Sequence, residues 1–149
     1  MDFVVDNALK NSDQSNLNME VHQATIKVIG AGGAGNNMVN WLYQKGVKGA
    51  EIIACNTDQQ HLSVTEADRK FLIGRETTRG LGCGGFPEKG TESAHEQINE
   101  IKDSLKQSDM VFVCAGMGGG TGTGSASVIA EVAKDLGAIV IGTVTMPFK

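Results

Sequence analysis

Two runs of glycine, each set between a short apolar run and a helical pattern, constrain this chain more than any other feature. Gly30-Ala31-Gly32-Gly33-Ala34-Gly35 follows Ile26-Lys27-Val28-Ile29, and Gly116-Met117-Gly118-Gly119-Gly120-Thr121-Gly122-Thr123-Gly124 follows Met110-Val111-Phe112-Val113-Cys114. In regular structure each glycine costs about 0.5–1 kcal/mol relative to alanine. The second run carries six glycines in nine residues, a poor choice if it only connects two elements. Small residues let a backbone come close to a phosphate, and a helix start supplies free N–H groups and the positive end of a dipole. The chain holds 20 glycines against 2 prolines. Most of the glycines fall at 30–35, 80–85 and 116–124, which points to loops with a purpose rather than to low complexity.

Around these loops the sequence alternates between strand and helix. After Gly35 a helix is predicted with Ala34, Met38, Trp41 and Leu42 on one stripe, ended by Gly46 and Gly49. Glu51–Cys55 reads as the second strand, with Asn56-Thr57-Asp58 at its C-terminal end. A brief helix near Gln59–Val64 and a short strand Lys70–Ile73 follow, then a long loop from Gly74 to Gly90. A loop of that length within a compact domain is usually functional or disordered. A single helix is predicted over 88–107, with Ala94, Ile98, Ile101 and Leu105 facing inward. Met110–Cys114 is uninterruptedly apolar, as a strand covered on both faces should be. The helix opened by the second glycine run places Ala126, Ile129, Ala130 and Ala133 on one face, and a last strand runs from Ala138 to about Thr145.

Residues 1–24, with a short apolar patch (Phe3, Val4, Val5, Ala8, Leu9) and a polar stretch after it, read as an extension outside the main fold, mobile or carrying a short helix. The remainder, 25–149, is expected to be an α/β domain: a Rossmann-like, three-layer parallel sheet with helices on both faces. In such sheets the ligand sits beyond the carboxyl ends of the strands, at the switch in strand order. Both glycine runs and the Asn-Thr-Asp tripeptide stand there.

Composition excludes several functions. A formal net charge of −4 argues against nucleic acid as a partner. Cys55, Cys83 and Cys114 have no paired spacing and read as reduced thiols rather than a zinc site. No apolar run suits a membrane span and no signal-peptide pattern is present, so direct membrane insertion is not expected and the cytoplasm is. His22, His61 and His95 share no motif and read as surface or partly buried histidines; Glu66 and Asp68 sit in a polar turn. Ser125 and Ser127 open a helix with no nucleophile elbow, and Arg79 is as well explained by solvent as by phosphate.

Gly30-x-Gly32-x-x-Gly35 matches the dinucleotide-binding fingerprint, yet Cys55-Asn56 stands where that fingerprint places a ribose-holding acid. A dinucleotide needs one such cradle, whereas a triphosphate gains from two. Neither run contains the lysine of a P-loop. Phosphate charge would be met by backbone N–H groups, two helix dipoles, the hydroxyls of Thr121 and Thr123, and Mg²⁺. Two alternatives stay open at this point: an NAD(P)-binding Rossmann domain of an oxidoreductase, and a filament protein that no longer depends on nucleotide.

The run Gly118-Gly119-Gly120-Thr121-Gly122-Thr123-Gly124-Ser125 resembles the signature loop of the tubulin/FtsZ GTPases. Gly30–Asn37, Asn56-Thr57-Asp58, Thr78-Arg79-Gly80-Leu81-Gly82 and Thr145-Met146-Pro147-Phe148 resemble the remaining nucleotide loops of the FtsZ branch, in the same order, over residues 25–149. The Phe-Pro-Glu run looks more like archaeal than bacterial members. The resemblance implies a GTP/GDP site. Gly32, Gly33, Gly35, Asn36 and Asn37 would contact phosphate and nucleoside, with Ala34 where a glycine is often found. Gly118, Gly119, Gly120, Thr121, Gly122 and Thr123 would cradle the phosphates. The backbone N–H groups of Cys83 and Gly84 would sense the γ-phosphate, the Cys83 thiol being incidental where the family often has alanine. Asp58, near Asn56, would hold Mg²⁺ through water. The resemblance further implies head-to-tail self-assembly into filaments and division-ring accessory partners at the division site. No catalytic residue is expected in this chain. The base-reading helices and the water-activating aspartate loop of the family have no counterpart in it, and the domain is expected to be incomplete at its C-terminal end.

Overall fold

In the computed structural model, residues 23–147 are described, together with Asp2 and Val4. The expectation for residues 1–24 falls almost wholly outside them. Among residues 23–147 ten elements follow in order: β1 (Ile26–Ala31), α1 (Gly32–Gln44), β2 (Ala50–Asn56), α2 (Gln59–Val64), β3 (Arg69–Leu72), α3 (Pro87–Glu96), α4 (Ile98–Leu105), β4 (Met110–Gly116), α5 (Thr121–Asp135) and β5 (Ile139–Thr145). The strands form one sheet in the order β3-β2-β1-β4-β5, every pairing parallel. Strand order reverses between β1 and β4, which are direct neighbours in register from Ile26↔Met110 to Ala31↔Ala115. Both strands therefore end side by side: β1 passes at Gly32 straight into α1, and β4 into the glycine-rich turn before α5.

Side chains alternate across the strands and build two cores. Ile29, Ala31, Ile53, Val111 and Val113 face the layer of α3, α4 and α5, meeting Ala94, Ile101, Leu105, Val128, Ile129 and Val132. Val28, Ile52, Ala54 and Cys114 face the other side and meet Val39 of α1 and Leu62 of α2. The three-layer α/β architecture expected from the sequence is the one observed. The exception is β5, an edge strand whose Ile139, Ile141 and Val144 are exposed.

Two local expectations need correction. The buried face of α1 is Gly32, Gly35, Asn36 and Val39 rather than the stripe through Ala34 and Trp41. Trp41 is 58% exposed, with Lys45 Nζ 5.3 Å from its ring centroid, while Met38 and Leu42 stay partly buried. The helix is turned because Gly35 lies so near β4 that a Cβ would strike the Cys114 carbonyl oxygen. Apolar periodicity cannot register a contact made by the absence of a side chain. The helix predicted over 88–107 is two helices, broken at Gln97 (φ −103°, ψ 31°). The break turns Glu96 and Gln97 toward the long loop, where they accept hydrogen bonds from the backbone N–H groups of Gly74, Glu76 and Thr77. The inward stripe through Ala94, Ile101 and Leu105 survives the break because both halves pack on the same core.

Candidate functional site

The two glycine loops touch. A Cβ on Gly32, which sits at φ +75°, would lie 2.8 Å from the Gly122 nitrogen and 3.3 Å from Thr121 Cβ. Only bare main chain permits that approach. Above the contact is a cavity of about 460 Å³ walled by Gly33 and Ala34 on one side, Gly119, Gly120, Thr121 and Gly122 on the other, and Thr145, Met146 and Pro147 at the end of β5. The β5 end is tied in by Met117 N–H, which donates to the Thr145 carbonyl at 2.8 Å.

Two helices begin at this cavity. Neither α1 nor α5 has a side-chain cap, and neither carries an acidic residue in its first turn. Helix starts normally have their free N–H groups satisfied by a Ser, Thr, Asp or Asn side chain. Two uncapped starts at one opening make a site for an anion, and a Cβ on Gly119 would meet nothing within 4 Å. The residues present thus fit a phosphate chain.

The long loop packs against the signature run without lining this cavity. A Cβ on Gly120 would lie 2.7 Å from Cys83 Cβ and 3.0 Å from the Phe86 nitrogen, so the loop rests on the signature run. Gly82 N–H donates to the Thr57 carbonyl at 3.2 Å, and Asp58 and Leu81 form an isolated antiparallel bridge. Gly84 follows at φ +59°, exposed. A second cavity of about 470 Å³ opens on the far side of this bridge, between α2 and the loop, with Asp58, Gln59, Ser63 and Arg79 in its wall. It has no helix start free of caps, since Asp58 Oδ1 accepts from His61 N–H at 3.1 Å and caps α2.

The predicted residues divide into lining and foundation. Gly33, Ala34, Gly119, Gly120, Thr121 and Gly122 line the glycine-walled cavity. Asn36 is wholly buried: its amide nitrogen donates to the Gly30 and Cys55 carbonyls at 3.0 and 2.9 Å, and its oxygen accepts from Asn56. Asn56 in turn accepts from Asp58 N–H at 3.1 Å. This amide pair pins β1 to β2 beneath the loops rather than facing the opening. Thr123 turns its hydroxyl back to accept from Gly118 N–H at 3.0 Å. Cys83 is buried, its thiol in contact with the hydroxyls of Thr57 and Thr121, so the side chain has a structural partner that the sequence did not reveal. Burial pushes the Cys55 thiol up to about 12 and raises Cys114 as well; both are core groups, not thiolates.

Two residues escaped the sequence reading. Thr57 is fully buried, and its hydroxyl lies 2.6 Å from that of Thr121. His61 is half-buried beside the first loop: Nε2 is 3.1 Å from Asn37 Oδ1, and its ring would touch a Cβ on Gly33 at 3.3 Å. Its three-residue step from Asp58, at the start of a six-residue helix, is the only signal the sequence offered, and no periodicity is measurable over so few residues. Among the described residues, no three of His, Cys, Asp and Glu cluster closely enough to hold a metal by themselves. Asp58, whose Oδ2 accepts no hydrogen bond among the described residues, lines the second cavity rather than the glycine-walled one.

Comparison with known proteins agrees with this geometry. Residues 25–149 match the family model described as Tubulin/FtsZ family, GTPase domain. The chain is 57% identical over 147 residues to cell division protein FtsZ 2 of Methanocaldococcus jannaschii, covering 98% of this chain and 39% of that protein. It is 51% identical over 129 residues to the FtsZ of Aquifex aeolicus, covering 87% of the chain and 35% of that protein. Among solved structures, an empty FtsZ dimer from M. jannaschii superposes with a TM-score of 0.84 at 48% identity, over 93% of this chain and 40% of that one. A GTPγS-bound CetZ2 protofilament from Haloferax volcanii superposes at 0.69 with 27% identity, over 79% and 39%. The chain belongs to the Tubulin/FtsZ family, as part of its GTPase domain, and spans between 31% and 39% of the length of these curated relatives. Membership removes the oxidoreductase alternative. It agrees with the buried Asn36–Asn56 pair, which occupies the place where a dinucleotide site needs an exposed acid.

Proposed function

We propose that this chain is the phosphate-holding face of an FtsZ-type GTPase, binding GTP or GDP with Mg²⁺. The observation that carries the reading is the pair of uncapped helix starts, α1 and α5, opening on one glycine-walled cavity. Backbone N–H groups of Gly33, Ala34 and Gly35 and of Gly120, Thr121 and Gly122 would receive the phosphates, with the Thr121 hydroxyl as a further donor. The main-chain N–H groups of Cys83 and Gly84, in the loop packed on Gly120, would receive a terminal phosphate. Asp58 would orient waters around Mg²⁺, which when bound spreads phosphate charge. Asn36 and Asn56 hold β1, β2 and the Asp58 backbone in fixed relation, so the donors need not be gathered as the ligand arrives.

Phosphoryl transfer is catalysed mainly by positioning and electrostatics, and these residues offer positioning alone. Among the described residues that line the glycine-walled cavity, none is a carboxylate that could orient an attacking water. Hydrolysis would be completed by an aspartate loop from the adjacent subunit in a head-to-tail filament of the whole protein, in the cytoplasm at the division site. There accessory proteins of the division ring would meet the assembled filament. Titration calorimetry with GTP, GDP and NADH, with and without Mg²⁺, tests the binding claim. Weak GTP and GDP binding that Mg²⁺ strengthens, with none for NADH, is the expected result. NADH binding in preference to GTP, or no response to any nucleotide, would overturn it. Phosphate release by the isolated 149-residue chain should be negligible, and substantial turnover would contradict the division of labour.

A further inference from the structure

Three protons in the floor of the site form a closed ring. The Thr121 hydroxyl donates to Cys83 Sγ at 3.3 Å, and the Cys83 thiol donates to Thr57 Oγ1 at 3.5 Å. That leaves the 2.6 Å contact between the two threonine oxygens to be donated by Thr57. Each group then gives one hydrogen bond and takes one. Thr57 has no exposed surface and Cys83 has 4%, whereas Thr121 borders the glycine-walled cavity, so the ring meets a ligand through Thr121 alone. The three side chains come from three loops: the end of β2, the long loop and the signature run. Thr57 also holds the long loop through its carbonyl, which accepts from Gly82 N–H at 3.2 Å and from the Thr78 hydroxyl at 3.3 Å.

We propose that Thr57 is a positioning residue for the terminal phosphate of the nucleotide, acting through Thr121 and the long loop. The inference rests on the triphosphate reading above. When Thr121 turns its proton from the sulfur to a phosphate oxygen, the ring opens into a chain running Cys83, Thr57, Thr121, phosphate. Every donor in that chain points the same way, and each bond polarises the next. A hydrogen bond to an anion is about twice as strong as one to a neutral acceptor, so opening the ring favours the bound state. Without the Thr57 hydroxyl, Thr121 keeps only the sulfur as partner, so turning its proton to a phosphate then breaks the last of these side-chain ties between the signature run and the long loop. A diphosphate lacks the group that would reach the Cys83–Gly84 stretch and should depend on the tie less.

Calorimetric titration of the 149-residue chain with GTPγS and with GDP, both in Mg²⁺, separates the possibilities. Thr57→Val, which exchanges the hydroxyl for a methyl group, should weaken GTPγS about tenfold and GDP less than about threefold, the range of one or two net hydrogen bonds. Thr57→Ser should restore the wild-type ratio of the two affinities. If Thr57→Val does not fold, Thr57→Ala carries the same expectation without crowding the ring. Equal losses for both nucleotides, or an unchanged ratio, would overturn the inference while leaving the triphosphate reading intact. A wild-type chain that binds neither nucleotide would overturn the triphosphate reading and this inference with it.

Discussion

At the junction of β1 with α1, the glycines at 30 and 35 are held by crowding. A Cβ on Gly30 would strike the Gly35 carbonyl and come within 2.8 Å of Val39, and one on Gly35 would strike the Cys114 carbonyl. In the loop after β4, Gly119 has no neighbour within 4 Å of the place a Cβ would take. The same residue type therefore answers two different demands. Crowded glycines make the junction between sheet and helix; the open one keeps the mouth of the cavity clear. A motif written in letters merges the two, and substitution separates them.

The largest effect is expected at the crowded positions. Gly35→Ala should destabilise the fold by about 3 kcal/mol, since its Cβ meets backbone that cannot swing aside; urea denaturation measures it. A loss under about 1 kcal/mol would show that α1 can withdraw from β4 and would break the distinction. Next comes the pin beneath the same junction. Asn36→Ala strands the Gly30 and Cys55 carbonyls and the Asn56 amide, and should cost about 2 kcal/mol in the same experiment. Gly119→Ala inverts the pattern: stability should stay within about 0.5 kcal/mol of wild type. GTP affinity should nonetheless fall about tenfold as the methyl enters the cavity. Unaltered affinity would mean that the cavity mouth is not where phosphate lies.

The smallest effect concerns the long loop's anchor. Glu96 is held down to about 2, first by the N–H of Glu76 and then by Thr77. A carboxylate whose pKa is lowered in the folded state contributes stability that is full above its unfolded value, ordinarily 4.5 here. That contribution drains away as pH falls through the folded value. Acid titration of stability between about pH 4.5 and 2 should therefore be shallower in Glu96→Gln than in wild type. The difference should stay below about 1 kcal/mol because Glu96 is open to solvent.

Most of the architecture was legible because it rests on features that periodicity and punctuation record. Uninterrupted apolar strands, glycine at both strand ends and the stripe Ala94–Ile101–Leu105 all appear in the observed layers. What stayed hidden depends on partners distant in the chain. The turn of α1 follows from a clash with a β4 carbonyl, and the break at Gln97 from side chains that serve a loop some twenty residues earlier. In the site, the glycines could be placed from the motif alone. Thr57, His61 and the Cys83 thiol could not, because their meaning lies in which hydroxyl or ring they touch, and three separate loops decide that.

The kink at Gln97 bears on how the segment between β3 and α3 can move. Gly74, Glu76 and Thr77 are moored to Glu96 and Gln97, and Gly82 to Thr57, while Gly84 and Gly85 have no such fastening beyond the turn they form with Phe86. The Cys83 thiol is held as well, by the hydroxyls of Thr57 and Thr121, so the part of the span without such ties is the pair Gly84 and Gly85 just beyond it.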